Sequence, residues 1–216
     1  MTAERRGVPF LVAAPSGTGK TTVCRRVMAE DPRLRFSISH TTRKPRAGER
    51  SGQDYYFVSP KAFLEMVQAS AFLEHAEYAG NNYGTSWRAL EEPLEEGFDL
   101  LVEIEVQGAR QVRERRDDVC FIFLLPPSLD ALASRLRARG TDDEDAIARR
   151  LGVADRELEA ASIFDFAVVN DDLDEAVVAV SSIITAVREG RGAALEGRYG
   201  REGVIGRWQR GERPHG

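Results

Sequence analysis

Four short, largely apolar runs punctuate the chain: VPFLVAA from Val8, FDLLVEIEV from Phe98, VCFIFLLP from Val119 and FDFAVVN from Phe164. Runs of this length without polar alternation predict strands buried on both faces, as in a parallel sheet covered by helices. The longer stretches between them predict helices over residues 20–29, 60–69, 107–116, 128–139, 142–162 and 172–189. Ser59 and Pro60 supply a cap and first-turn pair for the second of these. Pro93 sits inside the helical pattern at 87–97 and predicts a kinked or split helix. Between 34 and 86 the texture changes to polar, glycine- and aromatic-bearing segments such as GQDYYFV and FLEHAEYAGNNYG. That stretch predicts a small, partly antiparallel insertion carrying site residues.

The fold class is therefore α/β: a parallel β-sheet core flanked by helices, interrupted by the insertion. A length of 216 residues suits one such domain, and an apolar content of 42% is enough for a substantial core. The formal charge, 30 − 35 = −5, gives no global basic field, so no specific nucleic-acid partner is expected. No run approaches the roughly 18 apolar residues of a membrane span. The opening MTAERRGVPF lacks a signal peptide's apolar region. A soluble, cytoplasmic chain is expected. Cys24 and Cys120 lack C-x-x-C spacing and read as buried thiols. The last 29 residues, 188–216, hold eight glycines and seven arginines against four glutamates, so they carry +3 while the rest carries −8. Without a sustained apolar period this tail is expected to be an extended or disordered, solvated appendage.

The first strand runs into VAAPSGTGKTT, in which Ala14 to Thr21 follow the spacing A-x-x-x-x-G-K-T. This is a phosphate-binding loop (P-loop), with Ala14 where the strict pattern has glycine. Gly17 and Gly19 allow successive backbone N–H groups to turn inward as an anion nest. Lys20 can reach the β- and γ-phosphates, and the Thr21 hydroxyl is placed to ligate Mg²⁺. The helix that follows points its N-terminus at the phosphates. Ala14, Pro15, Ser16, Gly17, Thr18, Gly19, Lys20, Thr21 and Thr22 thus form a candidate site for a nucleoside triphosphate.

Twenty residues on, SISHTTRKPRAGERSGQDYYF places Arg43 and Arg46 three apart, followed by Glu49 and Tyr55. Two guanidinium forks near a phenol, on a loop stiffened by Pro45, suit a phosphate monoester better than lysines would.

With these residues in view the chain closely resembles guanylate kinase over about residues 8 to 187. The resemblance rests on APSGTGKT, S-x-TTRxPRxGExxGxDYxFV, FLEHAEYxGNxYGT, EIEVQGA, PPSLDALxxRLxxRGT and VNDDLDEA. It implies transfer of the γ-phosphoryl group of ATP to GMP, and to dGMP, assisted by Mg²⁺. It also implies a domain over 1–187, with core 8–33 and 95–187, a GMP-binding insertion over about 34–90 and a helical lid over about 128–160. Arg43, Arg46, Tyr55 and Tyr83 would hold the GMP phosphate, with Glu49 beside them, while Ser39, Glu74 and Thr85 would face guanine. The chemistry of that last group is specific. A carboxylate can accept from both guanine N1–H and the exocyclic amine, whereas adenine lacks N1–H and would leave one oxygen unpaired, at about 1–3 kcal/mol or more.

The resemblance further implies that Glu103 and Glu105, with Gln107 beside them, approach the acceptor nucleotide or the water shell of Mg²⁺. The family commonly has Asp where this chain has Glu105. Arg135, Arg139 and Arg150 would belong to the lid and gather charge on the transferring phosphoryl group; the first two are four apart and share a helix face. Asn170 and Asp171 would lie near the adenine end of ATP. Arg137, Arg149 and the run DDED read as solvated helix faces. Two rivals are a non-catalytic module of the same fold, which would have an eroded P-loop, and a kinase for another phosphorylated acceptor. A GTPase would call for an N-K-x-D motif, which this sequence lacks.

Overall fold

The structure is a computed structural model that describes residues 5–78, 80–138 and 143–212. In chain order the strands are β1 (Pro9–Ala13), β2 (Leu34–Phe36), β3 (His40–Thr41), β4 (Tyr56–Phe57), β5 (Phe72–Tyr78), β6 (Asn81–Ser86), β7 (Asp99–Glu103), β8 (Cys120–Leu125) and β9 (Phe166–Val169). The helices are α1 (Lys20–Glu30), α2 (Pro60–Gln68), α3 (Trp87–Glu95), α4 (Val106–Arg115), α5 (Leu129–Ala138), α6 (Glu144–Glu159), α7 (Leu173–Arg188), α8 (Glu196–Tyr199) and α9 (Arg201–Gln209). The four apolar runs are β1, β7, β8 and β9. β2 lies beside β7, and β1, β8 and β9 follow one another in the order β1-β8-β9.

The chain divides into two compact units. The first takes in the stretch ending at Pro9, Arg33–Val102 and Gln107–Val119. Within it β2 pairs in parallel with β7, Leu34 opposite Asp99 and Phe36 opposite Leu101. A second sheet of order β4-β3-β6-β5 is antiparallel in its β3–β6 and β5–β6 pairs and parallel between β3 and β4. This is the partly antiparallel insertion expected from the change in sequence texture. The strand β2, by contrast, falls within the stretch expected as the insertion but pairs in parallel with β7. It is three residues long with only Leu34 buried, too short to show a period. Ser59 caps α2 as expected, accepting from the Ala62 N–H at 3.1 Å. The helix α3 is not split: it runs through Pro93, which falls in its last turn. There the missing N–H costs a single helical bond, and the buried Leu90 and Leu94 hold the segment on the core.

The second unit takes in Phe10–Pro32, Glu103–Val106 and the stretch from Cys120 on. Here β1 pairs in parallel with β8, and β8 with β9, in registers Phe10 to Cys120 and Ile122 to Phe166. Phe10, Leu11, Phe121, Ile122, Phe123 and Leu124 are all fully buried, which is why these strands read as unbroken apolar runs. Cys24 and Cys120 are buried and not joined in a disulfide. Leu132, Leu136, Ile147 and Ala154 form a small core between α5 and α6, with Leu151 packed against it.

The expectation of an extended tail is overturned. A 3₁₀ turn at Gly192–Leu195 leads into α8 and α9. Tyr199 and Val204 are buried, and the Trp208 indole N–H reaches the Pro126 carbonyl. Three anchors spaced by glycines leave no helical period to detect, yet they suffice to fix a short helical segment against a preformed surface.

Candidate active site

The loop between β1 and α1 has the conformation its glycines allow. Gly17 has φ +98° and Gly19 φ +97°, both in the left-handed region where a side chain would be strained. A Cβ at Gly19 would also fall 2.7 Å from the Asn170 amide nitrogen. The Thr18 N–H donates to Pro15 O at 3.1 Å, and the N–H groups of Thr22 and Val23 donate to Gly19 O, which starts α1. Ala14 is buried at the end of β1, so a small residue meets the need there.

Two acids meet this loop. The Lys20 ammonium donates to Ile104 O at 2.8 Å and to a Glu105 oxygen at 3.2 Å. The Thr21 hydroxyl bonds the Glu103 carboxylate. Burial alone would lower the Lys20 pKa, but Glu105 and Glu103 more than offset it, so the lysine stays charged more firmly than usual. Glu157 on α6 enters the same field. Burial and the Glu105 charge push its carboxyl up to about 7, against smaller opposing effects of Lys20 and Arg156. Glu157 carried no signal in the sequence beyond one acid among many on a helix.

Asn170 and Arg135 support the loop from its own backbone. Asn170 is buried and donates its amide to Thr18 O at 2.7 Å. Arg135 donates to Thr18 O at 3.3 Å and to Asn170 O at 3.0 Å. Asn170, expected near the adenine end of ATP, therefore has its side chain on the phosphate-loop carbonyl. Asp171 next to it is exposed, as are Thr21 and Thr22, while Ser16 is half-buried. Arg150 lies half-buried on α6, and Arg139 falls outside the described residues. Arg137 pairs with Glu144 at 2.9 Å on an exposed face.

In the first unit, Arg43 donates both arms to Glu49 at 2.9 Å each, and Glu49 also accepts the Arg46 backbone N–H at 2.7 Å. The Arg43 bond, with that N–H, draws the Glu49 carboxyl down to about 2. The Arg43 guanidinium lies 5.3 Å from the Tyr55 ring centre, and Tyr55 meets Tyr83 edge-on at 6.0 Å. Arg43, Glu49, Tyr55 and Tyr83 thus form one group, while the Arg46 side chain is exposed beside it.

Glu74 is 4% exposed and accepts the Thr85 N–H at 2.8 Å. The Thr85 hydroxyl is 3.3 Å from that of Ser39. The β5–β6 register shifts between Phe72 and Glu74, a local irregularity of the kind that re-aims a side chain. Side chains of α4 pin the strand on both sides of it. Arg115 donates to Leu73 O, while Gln111 donates to His75 O at 2.8 Å and accepts the His75 N–H at 3.2 Å. These two supports were missed in the sequence, because backbone groups are their partners. Gln107 is exposed near the start of the same helix.

The guanylate kinase family model matches residues 6–187. The chain belongs to the guanylate kinase family. A guanylate kinase of Nitratidesulfovibrio vulgaris is 53% identical over 176 residues, covering 82% of this chain and 85% of that protein. One of Neisseria gonorrhoeae is 47% identical over 195 residues, covering 90% of this chain and 95% of its own. The crystal structure of guanylate kinase from Anaplasma phagocytophilum is similar with a TM-score of 0.70 at 32% identity, covering 90% of this chain and 96% of that one. The helices α8 and α9 lie past residue 187, where the family-model match ends.

Proposed function

We propose that this chain transfers the γ-phosphoryl group of ATP to GMP, giving ADP and GDP. The observation that carries the reading is the intact donor loop, with Lys20 and Thr21 each held by its own carboxylate. A module that only bound phosphorylated partners would have no use for a buried lysine at that loop.

On the donor side, the loop amides and the Lys20 ammonium bind the β- and γ-phosphates, which take the place of Ile104 O and Glu105 around Lys20. Thr21 and Glu103 form an all-oxygen pair of the kind Mg²⁺ accepts. Among the described residues no cluster of three His, Cys, Asp or Glu is arranged to hold a metal by protein ligands alone. This suits an ion carried mainly by nucleotide phosphates and water, with Thr21 and Glu103 as its protein side. When bound, Mg²⁺ would neutralise charge on the β- and γ-phosphates.

On the acceptor side, Arg43, Arg46, Tyr55 and Tyr83 hold the GMP phosphate. Glu49 keeps the Arg43 fork oriented before the acceptor arrives. Glu74 accepts from guanine N1–H and the exocyclic amine, with Ser39 and Thr85 completing the edge. None of these residues is assigned to the ribose 2′-hydroxyl, so dGMP fits the same scheme.

In the transfer an oxygen of the GMP phosphate bonds to the γ-phosphorus as the bond to the β–γ bridging oxygen breaks. The protein does little covalent work; it positions the two nucleotides and aims cations at developing charge. Arg135, Arg139 and Arg150, on a lid over about 128–160, are the cations we assign to that task. Among the described residues no helix is long and apolar enough to cross a membrane. The buried thiols of Cys24 and Cys120, not joined in a disulfide, suit a cytoplasmic setting.

A coupled assay supplying ATP and Mg²⁺ with GMP, AMP, CMP and UMP in turn tests the proposal. GMP should be preferred by on the order of 10³ in kcat/KM, because a site built around polar groups rejects analogues strongly. Equal turnover of all four, or of none, would contradict it.

A further inference from the structure

The C-terminal segment lies past residue 187, where the family match ends, and the proposed chemistry leaves it unused. It nevertheless grips two strand ends in its own unit. β9 is the outer strand of its sheet. Gly200 forms a bridge with Phe166 at its start, and the Arg201 guanidinium donates to Phe164 O at 3.0 Å. From α9 the Trp208 indole N–H donates to Pro126 O at 2.6 Å.

Pro126 is the first residue after β8, and only Pro127 and Ser128 separate it from α5. Ser128 then caps that helix, accepting the Ala131 N–H at 3.1 Å. The carbonyl just before Pro126, that of Leu125, accepts the Asn170 N–H at 2.8 Å. One junction thus fixes Asn170 at the end of β9 and launches the helix carrying Arg135. Those two side chains both donate to Thr18 O inside the phosphate loop.

We infer that Trp208 is a positioning residue for the donor nucleotide, the tail bracing the β8–α5 junction so that Asn170 and Arg135 hold the phosphate loop in its binding form. A loop with two left-handed glycines gives up much conformational freedom on ordering. A brace that orders it beforehand improves affinity by preorganisation. The inference rests on reading the loop as the ATP site.

Trp208→Phe keeps most of the packing and removes the N–H. KM for ATP should rise about three- to tenfold, the loss of one hydrogen bond. KM for GMP and kcat at saturating ATP should each stay within about twofold. A chain ending at Glu189 should show at least the same selective rise. ATP affinity measured by calorimetry on the full chain and on Trp208→Phe should fall by the same factor. Unchanged ATP affinity in Trp208→Phe, with or without a lower melting temperature, would show that the tail only packs and would overturn the inference. An equal rise in KM for both nucleotides would overturn it as well. If the full chain makes no GDP the kinase reading fails, while ATP calorimetry on the two proteins still decides this one.

Discussion

Arg43 and Glu49 show how much of the proposed acceptor site is ordered by its own contacts. Both arms of the guanidinium are committed to one carboxylate, and an aromatic pair lies against it. A carboxyl drawn from 4.5 to about 2 stabilises the fold at all pH above its unfolded value, and that stability is lost as pH falls from about 4.5 toward 2. Replacing Arg43 by Ala should return the Glu49 carboxyl toward its ordinary value and remove that acid-side contribution, as read by an NMR titration of the side chain. The same variant should weaken GMP binding by on the order of tenfold or more while leaving ATP affinity nearly unchanged. Equal losses for both nucleotides would place Arg43 in the wrong site. The spacing of Arg43, Arg46, Glu49 and Tyr55 is legible in the sequence because their partners are one another. Gln111 and Arg115 are not legible, because a side chain that serves a backbone carbonyl leaves no mark on the residue it serves.

At the scale of elements, the sequence resolves long, continuously buried pieces and misses short ones. β1, β7, β8 and β9 announce themselves as apolar runs, but β2, with one buried residue in three, does not. Pro93 argues against a continuous helix by local preference, and burial of Leu90 and Leu94 overrides it. α8 and α9 depend on a surface made by residues far earlier in the chain, which local pattern cannot anticipate. The helix α6 holds a titratable group of its own. Glu157 is half-buried in the field of Glu105, and its carboxyl is raised from 4.5 to about 7. A raised carboxyl pKa means the folded state binds the proton more tightly, so stability falls as pH rises from about 4.5 to 7. Glu157→Gln should therefore gain on the order of 1 kcal/mol at pH 8, about 2–4 °C in melting temperature, and little at pH 4. A gain of the same size at both pH values would mean that the Glu157 charge is not what costs stability.

At the scale of the whole molecule, the residues proposed to read the base and clamp the acceptor phosphate fall in the first unit, and the phosphate loop with its acids in the second. Phosphoryl transfer needs both, so each nucleotide should respond separately to variants of its own unit. The central claim is that the acceptor is GMP because Glu74 reads its base. Glu74→Gln keeps size and shape but turns one acceptor oxygen into a donor facing the guanine edge. The measurement that tests this most directly is kcat/KM for GMP and for AMP, in the unaltered chain and in Glu74→Gln. Loss of a charge-assisted bond should cost about 2–4 kcal/mol, so the GMP value should drop on the order of 30- to 1000-fold. AMP should remain a poor substrate and lose much less, and KM for ATP should hardly move. A fall by the same factor for GMP and AMP would contradict the claim and leave Glu74 as a support of the fold.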